Sequence, residues 1–280
     1  VLVIGGGPAG MEAARVAALR GHEVVLYERE YKLGGLLPMA ALVKGTRIED
    51  LPAIVHYLKG QISKLGVKTK LGKEVNLSTI EEIKPDVLIL ATGGTPAVPE
   101  IPGINRRNVV SSASLHRRLK FYLGFLGPRA LRWLTRFWMP IGKRVVIIGG
   151  GIQGCELGEF LTKRGRKVTI VDTAEALGEG MVGALMLHLS MWFRKKGVTM
   201  MSGVKYVEIT EKGLTIVTKK GDRQTIEADS IVCVLSLTPN TGLLKSLEGK
   251  VPEIYAIGDC REPRLIVDAI ADGWRIAHAI

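Results

Sequence analysis

Cysteine is scarce in this 280-residue chain: Cys155, Cys233 and Cys260 are the only three, and no pair has C-x-x-C spacing. That excludes a disulfide framework, a cysteine-built metal site and a dithiol relay, and it suits a reducing, cytoplasmic setting. No apolar run approaches the ~18 residues of a membrane span, and no signal-peptide pattern precedes the first apolar segment. Acidic residues are missing from one long stretch. Between Arg106 and Arg144 stand ten Lys or Arg and no Asp or Glu, so that stretch carries most of the net charge of +12. Aromatics are few (six Tyr, five Phe, four Trp), yet six of them fall inside the same stretch. The chain opens without Met on an apolar strand and ends inside an apolar helix, as a piece of a longer polypeptide would.

Glycine, by contrast, is abundant. Its 34 residues exceed the usual level of about 7 %, and no G-X-Y period accompanies them. The excess marks backbone that needs positive φ or close approach. A length of 280 residues suits two domains of roughly 100–200 residues better than one core.

The glycines are organised. Val1-Leu-Val-Ile4 reads as a short buried strand, Gly5, Gly7 and Gly10 form a G-x-G-x-x-G turn, Met11–Leu19 reads as a helix stopped by Gly21, and a second strand ends at Glu28. Arg144–Ile148, then Gly149, Gly151 and Gly154, then a helix from Ile152 to about Lys163, then Val168–Val171 ending at Asp172, repeat that order. Each acid lies eighteen residues after the third glycine. In such a unit the first glycine allows the sharp turn, the second admits a pyrophosphate and the third lets helix and strand approach. The helix N-terminus offers N–H groups and partial positive charge to phosphate. The acid accepts from a ribose 2′-OH and repels a 2′-phosphate. Thr173 and Ala174 follow Asp172 with no Arg beside it, which favours NADH over NADPH at the second site. The class expected is α/β: two Rossmann-like dinucleotide-binding domains.

Two further segments, Asp86–Ala91 running into Thr92-Gly93-Gly94-Thr95-Pro96 and Ile254–Ile257 running into Gly258-Asp259, complete a set that resembles the two-dinucleotide-binding flavoprotein reductases. The resemblance implies FAD on Gly5, Gly7, Pro8, Ala9 and Gly10, with Glu28 and Arg29, and on Ala91, Thr92 and Gly93. It places Gly34, Gly35 and Leu36 against the flavin, Val75 against adenine by its backbone, and Gly258-Asp259 on the ribityl chain. Asp268 and Ala269 open the final helix, expected over about Ile266–Ile280, whose N-terminus would face the flavin C2 carbonyl. The nicotinamide nucleotide falls on Gly149, Gly151, Ile152, Gln153, Gly154 and Asp172, with Glu156 near its reactive end. No side chain is assigned as catalytic and no metal is expected in these residues.

Gly149–Glu156, Lys163–Asp172 and the ending Ala269-Ile-Ala-Asp-Gly-Trp-Arg-Ile-Ala-His278 are similar to the C-terminal half of the 2-enoate reductase and 2,4-dienoyl-CoA reductase family, which also includes trimethylamine dehydrogenases. This finer resemblance covers nearly the whole chain. It implies hydride transfer from NADH to FAD, then electrons to an upstream Old-Yellow-Enzyme-like barrel with FMN and a 4Fe–4S cluster, which reduces an enoate or acyl-CoA double bond. A free-standing ferredoxin or rubredoxin reductase and a non-redox ADP-binding module are the alternatives. The domain plan expected is 1–105 for the first part of the FAD domain, 106–141 for a basic aromatic helical insert, 142–236 for the NAD domain and 237–280 for the remainder of the FAD domain. Gly203–Glu227, with its Lys220-Gly221-Asp222 turn, reads as a β-meander.

In the insert Ser114 is placed to cap a helix, and Gly127-Pro128 breaks it before a second helix beginning near Arg129. Its cations and aromatics suit docking on the upstream barrel or a sister subunit, attraction of an anionic substrate, or a membrane or nucleic-acid surface. Its place between the two nucleotide domains favours docking. Ala184–Phe193, apolar nearly all round, reads as a helix covered on more than one side, consistent with a homo-oligomer. No nucleic acid and no membrane span enter the reading.

Overall fold

A computed structural model describes the backbone of residues 1–44, 50–247 and 249–280. In chain order the elements are β1 (Leu2–Ile4), α1 (Pro8–Leu19), β2 (Val25–Glu28), α2 (Leu37–Val43), α3 (Asp50–Lys64), β3 (Lys68–Leu71), α4 (Leu77–Ile83), β4 (Val87–Leu90), β5 (Gly94–Pro96) and β6 (Val109–Val110). Next come α5 (Ser112–Phe125), α6 (Pro128–Leu134), β7 (Arg144–Ile148), α7 (Ile152–Thr162), β8 (Lys167–Val171), α8 (Gly183–Lys196), β9 (Thr199–Met201), β10 (Lys205–Thr210) and β11 (Gly213–Val217). The chain closes with β12 (Arg223–Glu227), β13 (Ser230–Cys233), β14 (Leu237–Pro239), α9 (Gly242–Leu247), β15 (Glu253–Ala256), a 3₁₀ turn over Gly258–Cys260 and α10 (Ile266–Ala279). The chain is α/β, and it forms two compact units.

Unit 1 comprises Val1–Ala41, Arg47–Thr95 and Leu237–Ile280. Its sheet runs β15-β4-β1-β2-β3, parallel throughout. Parallel strands covered on both faces need continuous apolar side chains, and Leu2, Val3, Leu88 and Ile89 are fully buried. Small residues let α10 lie tightly on α1: a Cβ on Gly273 would stand 2.3 Å from the Ala9 carbonyl oxygen. That packing carries the end of the chain back to its beginning.

Unit 2 comprises Leu42–Thr46 and Pro96–Ser236. Its parallel sheet, β6-β13-β7-β8-β9, repeats the first sheet's order except at one edge. Unit 1 takes its outer strand, β15, from the chain's end; unit 2 takes β6 from ahead of the repeat. The stretch read as a helical insert therefore begins with a strand of this sheet, Val109 and Val110 pairing with Ile231 and Val232. The edge of unit 1 lies at Thr95, ahead of residue 105. Ile101 and Ile104 pack with Val146, Ile209 and Leu214 of unit 2, and the Ile209 N–H donates to the Pro102 carbonyl at 2.7 Å. β10, β11 and β12 form the antiparallel meander.

One local expectation changes. Ser111, not Ser114, caps α5: its Oγ accepts from the Ser114 N–H at 3.2 Å. A cap must precede the first helical N–H it serves, so the earlier of the two serines takes the role. Helix α8 buries Leu189 and Phe193 but leaves Leu185, Leu187 and Met191 exposed. The buried pair follows i, i+4, and the Phe193 ring lies beside Gly158 of α7. Among the described residues no helix is long and apolar enough to cross a membrane.

Candidate functional site

Each unit carries the same glycine device, and the space around each glycine separates packing from binding. Gly5 and Gly149 sit at φ +114° and +111°; a Cβ there would lie 2.1 Å from the Ala91 oxygen and 2.2 Å from the Val234 oxygen. Gly10 and Gly154 are tighter still, with a Cβ 1.9 and 1.8 Å from the carbonyl oxygens of Gly5 and Gly149. These four glycines are required by the protein's own backbone. The middle pair is different. A Cβ on Gly7 meets nothing within 4 Å, and one on Gly151 meets only the Glu179 oxygen at 3.7 Å. Both are extended N-cap residues without a side-chain cap, so the space beside each is left clear of side chains. Pro8 takes the first helical position of α1 and Ala9 is buried behind it.

The two acids are held alike. The Gly6 N–H donates to Glu28 Oε2 at 2.7 Å and the Glu30 N–H to Oε1 at 2.8 Å. The Gly150 N–H donates to Asp172 Oδ2 at 2.5 Å and the Ala174 N–H to Oδ1 at 2.9 Å. Charge-assisted bonds of this kind set the carboxylate's orientation. A third element repeats as well: the Gly34 N–H donates to the Gly6 carbonyl at 2.8 Å and the Gly178 N–H to the Gly150 carbonyl at 2.7 Å. Gly6, Gly150 and Gly178 are site residues that the fingerprint spacing does not single out. The signal for Gly178 is that it follows Gly150 by the same interval as Gly34 follows Gly6.

Around the first device, Gly35 packs on Gly7, its Cβ position 3.1 Å from the Gly7 Cα, and the Leu36 carbonyl accepts from the N–H groups of Met39 and Ala40. Ala91 adjoins Gly5, Thr92 Oγ1 is buried with no hydrogen-bond partner, and Gly93, at φ +74°, borders open space. Gly258, at φ +61°, lies against Ala9 and Ala269. Asp259 accepts from the Arg264 N–H at 3.4 Å, and burial raises its pKa above the ordinary carboxylate range. The Asp268 carboxylate accepts from the Leu265 N–H at 3.1 Å and so caps α10. Val75 buries its side chain among Leu2, Ile4, Leu88 and Leu90, and Arg29 is exposed. Around the second device the Ile152 N–H donates to the Glu179 carbonyl at 2.9 Å and Gln153 is exposed. Glu156 is half-buried, and burial is the main cause that raises its pKa.

Asp272 is the main residue that the sequence reading lacks. Only 1 % exposed, it accepts from the Gly258 N–H at 3.2 Å, from Arg264 at 3.1 Å and from Arg275 at 2.9 Å. It ties the Gly258-Asp259 turn to α10.

The cysteines stand apart from this chemistry. All three are buried, and burial pushes the Cys155 and Cys233 thiols up to about 11. Only about one thiol in a thousand is then ionised at pH 8, and the thiolate is the nucleophile. Iodoacetamide at pH 8 is expected to modify neither in the native chain and all three cysteines in urea, read by intact mass. Rapid native labelling of Cys155 would overturn this. Among the described residues no group of three or more His, Cys, Asp or Glu is placed to hold a metal.

Open space at the second glycine and a paired acid fit a dinucleotide in each unit, and unit 1 adds the buried, unpartnered Thr92 hydroxyl. The fold and site define the class of NAD(P)H-dependent flavoprotein oxidoreductases. The chain belongs to the pyridine nucleotide-disulphide oxidoreductase family, which it matches over residues 1–273. It is 33 % identical over 281 residues to an NADH oxidase of Thermoanaerobacter brockii, covering 100 % of this chain and 41 % of that protein. It is 30 % identical over 287 residues to a cinnamate reductase of Clostridium sporogenes, covering 100 % of this chain and 39 % of that one. The solved structure of 2-naphthoyl-CoA reductase in complex with 2-naphthoyl-CoA superposes with a TM-score of 0.83 at 32 % identity, covering 100 % of this chain and 39 % of that chain. The chain thus spans about two fifths of the length of these relatives.

Proposed function

We propose that unit 1 binds FAD on Gly5–Gly10, Glu28, Gly34–Leu36, Ala91–Gly93 and Gly258-Asp259, and that unit 2 binds NADH on Gly149–Gly154 and Asp172. The observation that carries this reading is the pair Gly7 and Gly151, whose lack of a side chain serves no contact within the protein. FAD bound there supplies a two-electron acceptor for the hydride of reduced nicotinamide. The chain's own part is binding and orientation. Helix N-termini face the phosphates, and each acid is held by two backbone N–H groups so that its remaining lone pairs meet a ribose. Thr92 Oγ1 offers a buried donor that has no acceptor within the protein.

The reading extends to the whole protein. A further barrel domain with FMN and a 4Fe–4S cluster would use these electrons to reduce a carbon–carbon double bond of an enoate or acyl-CoA. The names of the cinnamate and naphthoyl-CoA reductases support that substrate class.

The test is anaerobic titration of the purified, FAD-reconstituted chain. NADH is expected to bleach the visible flavin band at far lower concentration than NADPH. Asp172→Ala should weaken NADH by about 10–100-fold, the worth of a charge-assisted hydrogen bond, and narrow the gap to NADPH. A colourless protein, or a flavin that neither nucleotide bleaches, would sink the proposal.

A further inference from the structure

The acid-free stretch is folded as a helical hairpin, and its aromatic residues face the wrong way for a core. In α5, Arg117, Phe121 and Phe125 follow i, i+4, i+8, with Arg118 beside them, so the four share one face. That face is exposed, Phe125 at 80 %, while Leu123 on the other side is buried. The second helix and its following turn repeat this. Arg129, Trp133 and Phe137 follow i, i+4, i+8 beside Arg136, exposed with Phe137 at 72 %, while Leu131 is buried. Ring pairs run along each surface, Phe121–Phe125 at 5.4 Å and Trp133–Phe137 at 4.8 Å between centroids.

The hairpin's second arm is held to its unit. Arg164 stacks on the Phe160 ring at 3.4 Å and donates to Thr135 Oγ1 at 2.8 Å and to the Arg132 carbonyl at 3.1 Å, across the end of α6. Burial first, then Arg132, Arg136 and Arg166, pull its guanidinium down to about 10. The outward face of the second arm is thus anchored among clustered cations.

We propose that this hairpin seats the unit on an anionic lipid bilayer. Cations interleaved with Trp and Phe on the exposed face of each arm, with no carboxylate in the stretch, match an interface that supplies negative headgroups above a shallow apolar layer. Trp and Phe rings insert at headgroup depth while arginines reach the phosphates. Among the described residues no helix is long and apolar enough to cross the bilayer, and the attachment proposed is peripheral. The inference is independent of the nucleotide sites.

Flotation of the purified chain with vesicles tests it, using phosphatidylcholine alone and phosphatidylcholine with about a third phosphatidylglycerol. The chain is expected to float with the anionic vesicles at low salt, to stay behind with the neutral ones, and to be released as salt shortens the Debye length. Tryptophan emission should shift to the blue on binding. Arg117→Glu/Arg118→Glu and Phe125→Ser/Phe137→Ser should each weaken binding at least roughly tenfold. Unchanged far-ultraviolet circular dichroism and melting temperature would confirm that both pairs remain folded. Failure of the folded wild type to float with anionic vesicles would overturn the proposal, as would equal binding by the folded variants. Concentration-dependent self-association abolished by the same substitutions, without vesicle binding, would make the surface a protein interface instead.

Discussion

Gly151→Val is expected to remove NADH binding and leave the fold intact. Gly151 has φ −66° and ψ −172°, a conformation open to any L residue. Its Cβ meets no protein atom closer than 3.7 Å, so the change in stability should stay near the ~0.5–1.5 kcal/mol that an apolar residue costs at an N-cap. The branched side chain instead fills the space in front of the α7 N-terminus. Losing two backbone bonds to a pyrophosphate, each about 1.5–3 kcal/mol when the acceptor is charged, predicts roughly 10²–10⁴-fold weaker binding by calorimetry. Gly7→Val should do the same to FAD, giving a folded but colourless protein. The contrast is Gly154→Ala. Its Cβ would stand 1.8 Å from the Gly149 oxygen, so strand and helix must separate, at the ~1–3 kcal/mol of overpacking or more. Here the midpoint of urea unfolding should move. Unaltered nucleotide affinity in both valine variants would leave the glycine loops without a role in binding.

Asp272→Ala has the second large expected effect, on stability and flavin retention together. The substitution leaves the Gly258 N–H without its acceptor and removes the shared partner of Arg264 and Arg275. Breaking a fully buried pair costs about 3–5 kcal/mol, but both arginines are partly exposed, 35 % and 59 %, and recover hydration. About 2–3 kcal/mol is therefore expected in urea unfolding. Asp272→Asn, which keeps an acceptor oxygen, should lose less. Because Asp272 holds the turn that carries Asp259, bound flavin per chain should fall with it, and adding FAD should recover part of the lost stability. A variant as stable and as fully flavinated as the parent would show that the turn holds without this carboxylate.

Much of the candidate site is legible because its determinants are local. A tight turn at positive φ admits few residues besides glycine, so Gly5 and Gly149 show themselves within four residues of a strand. The acids are legible because β2 and β8 end at a set distance. Gly6 and Gly150 are not, since what makes them functional is an N–H aimed at a carboxylate 22 residues away. Asp272 reads as one more polar residue on an amphipathic helix. Its partners, Gly258 and Arg264, lie in the turn and the segment ahead of that helix. The two-residue strand Val109–Val110 carries no period at all; its identity comes from Ile231 and Val232 across the sheet. The apolarity of α8 likewise does not say which neighbour arrives: within this chain it buries Leu189 and Phe193 and leaves Leu185, Leu187 and Met191 exposed.

Residue order alone was enough to specify two strand–glycine–helix–strand devices, their acids and a basic aromatic segment between them, since each rests on steric rules acting over a few consecutive residues. Folding in three dimensions settled which glycines answer to the protein's own backbone and which leave room for a ligand. It also chose the carboxylate that braces the final turn, the edge strand that completes the second sheet and the side of the hairpin that its aromatics occupy. Those choices depend on groups brought together from far along the chain, where contact, burial and hydrogen bonding act and short-range pattern carries no record of them.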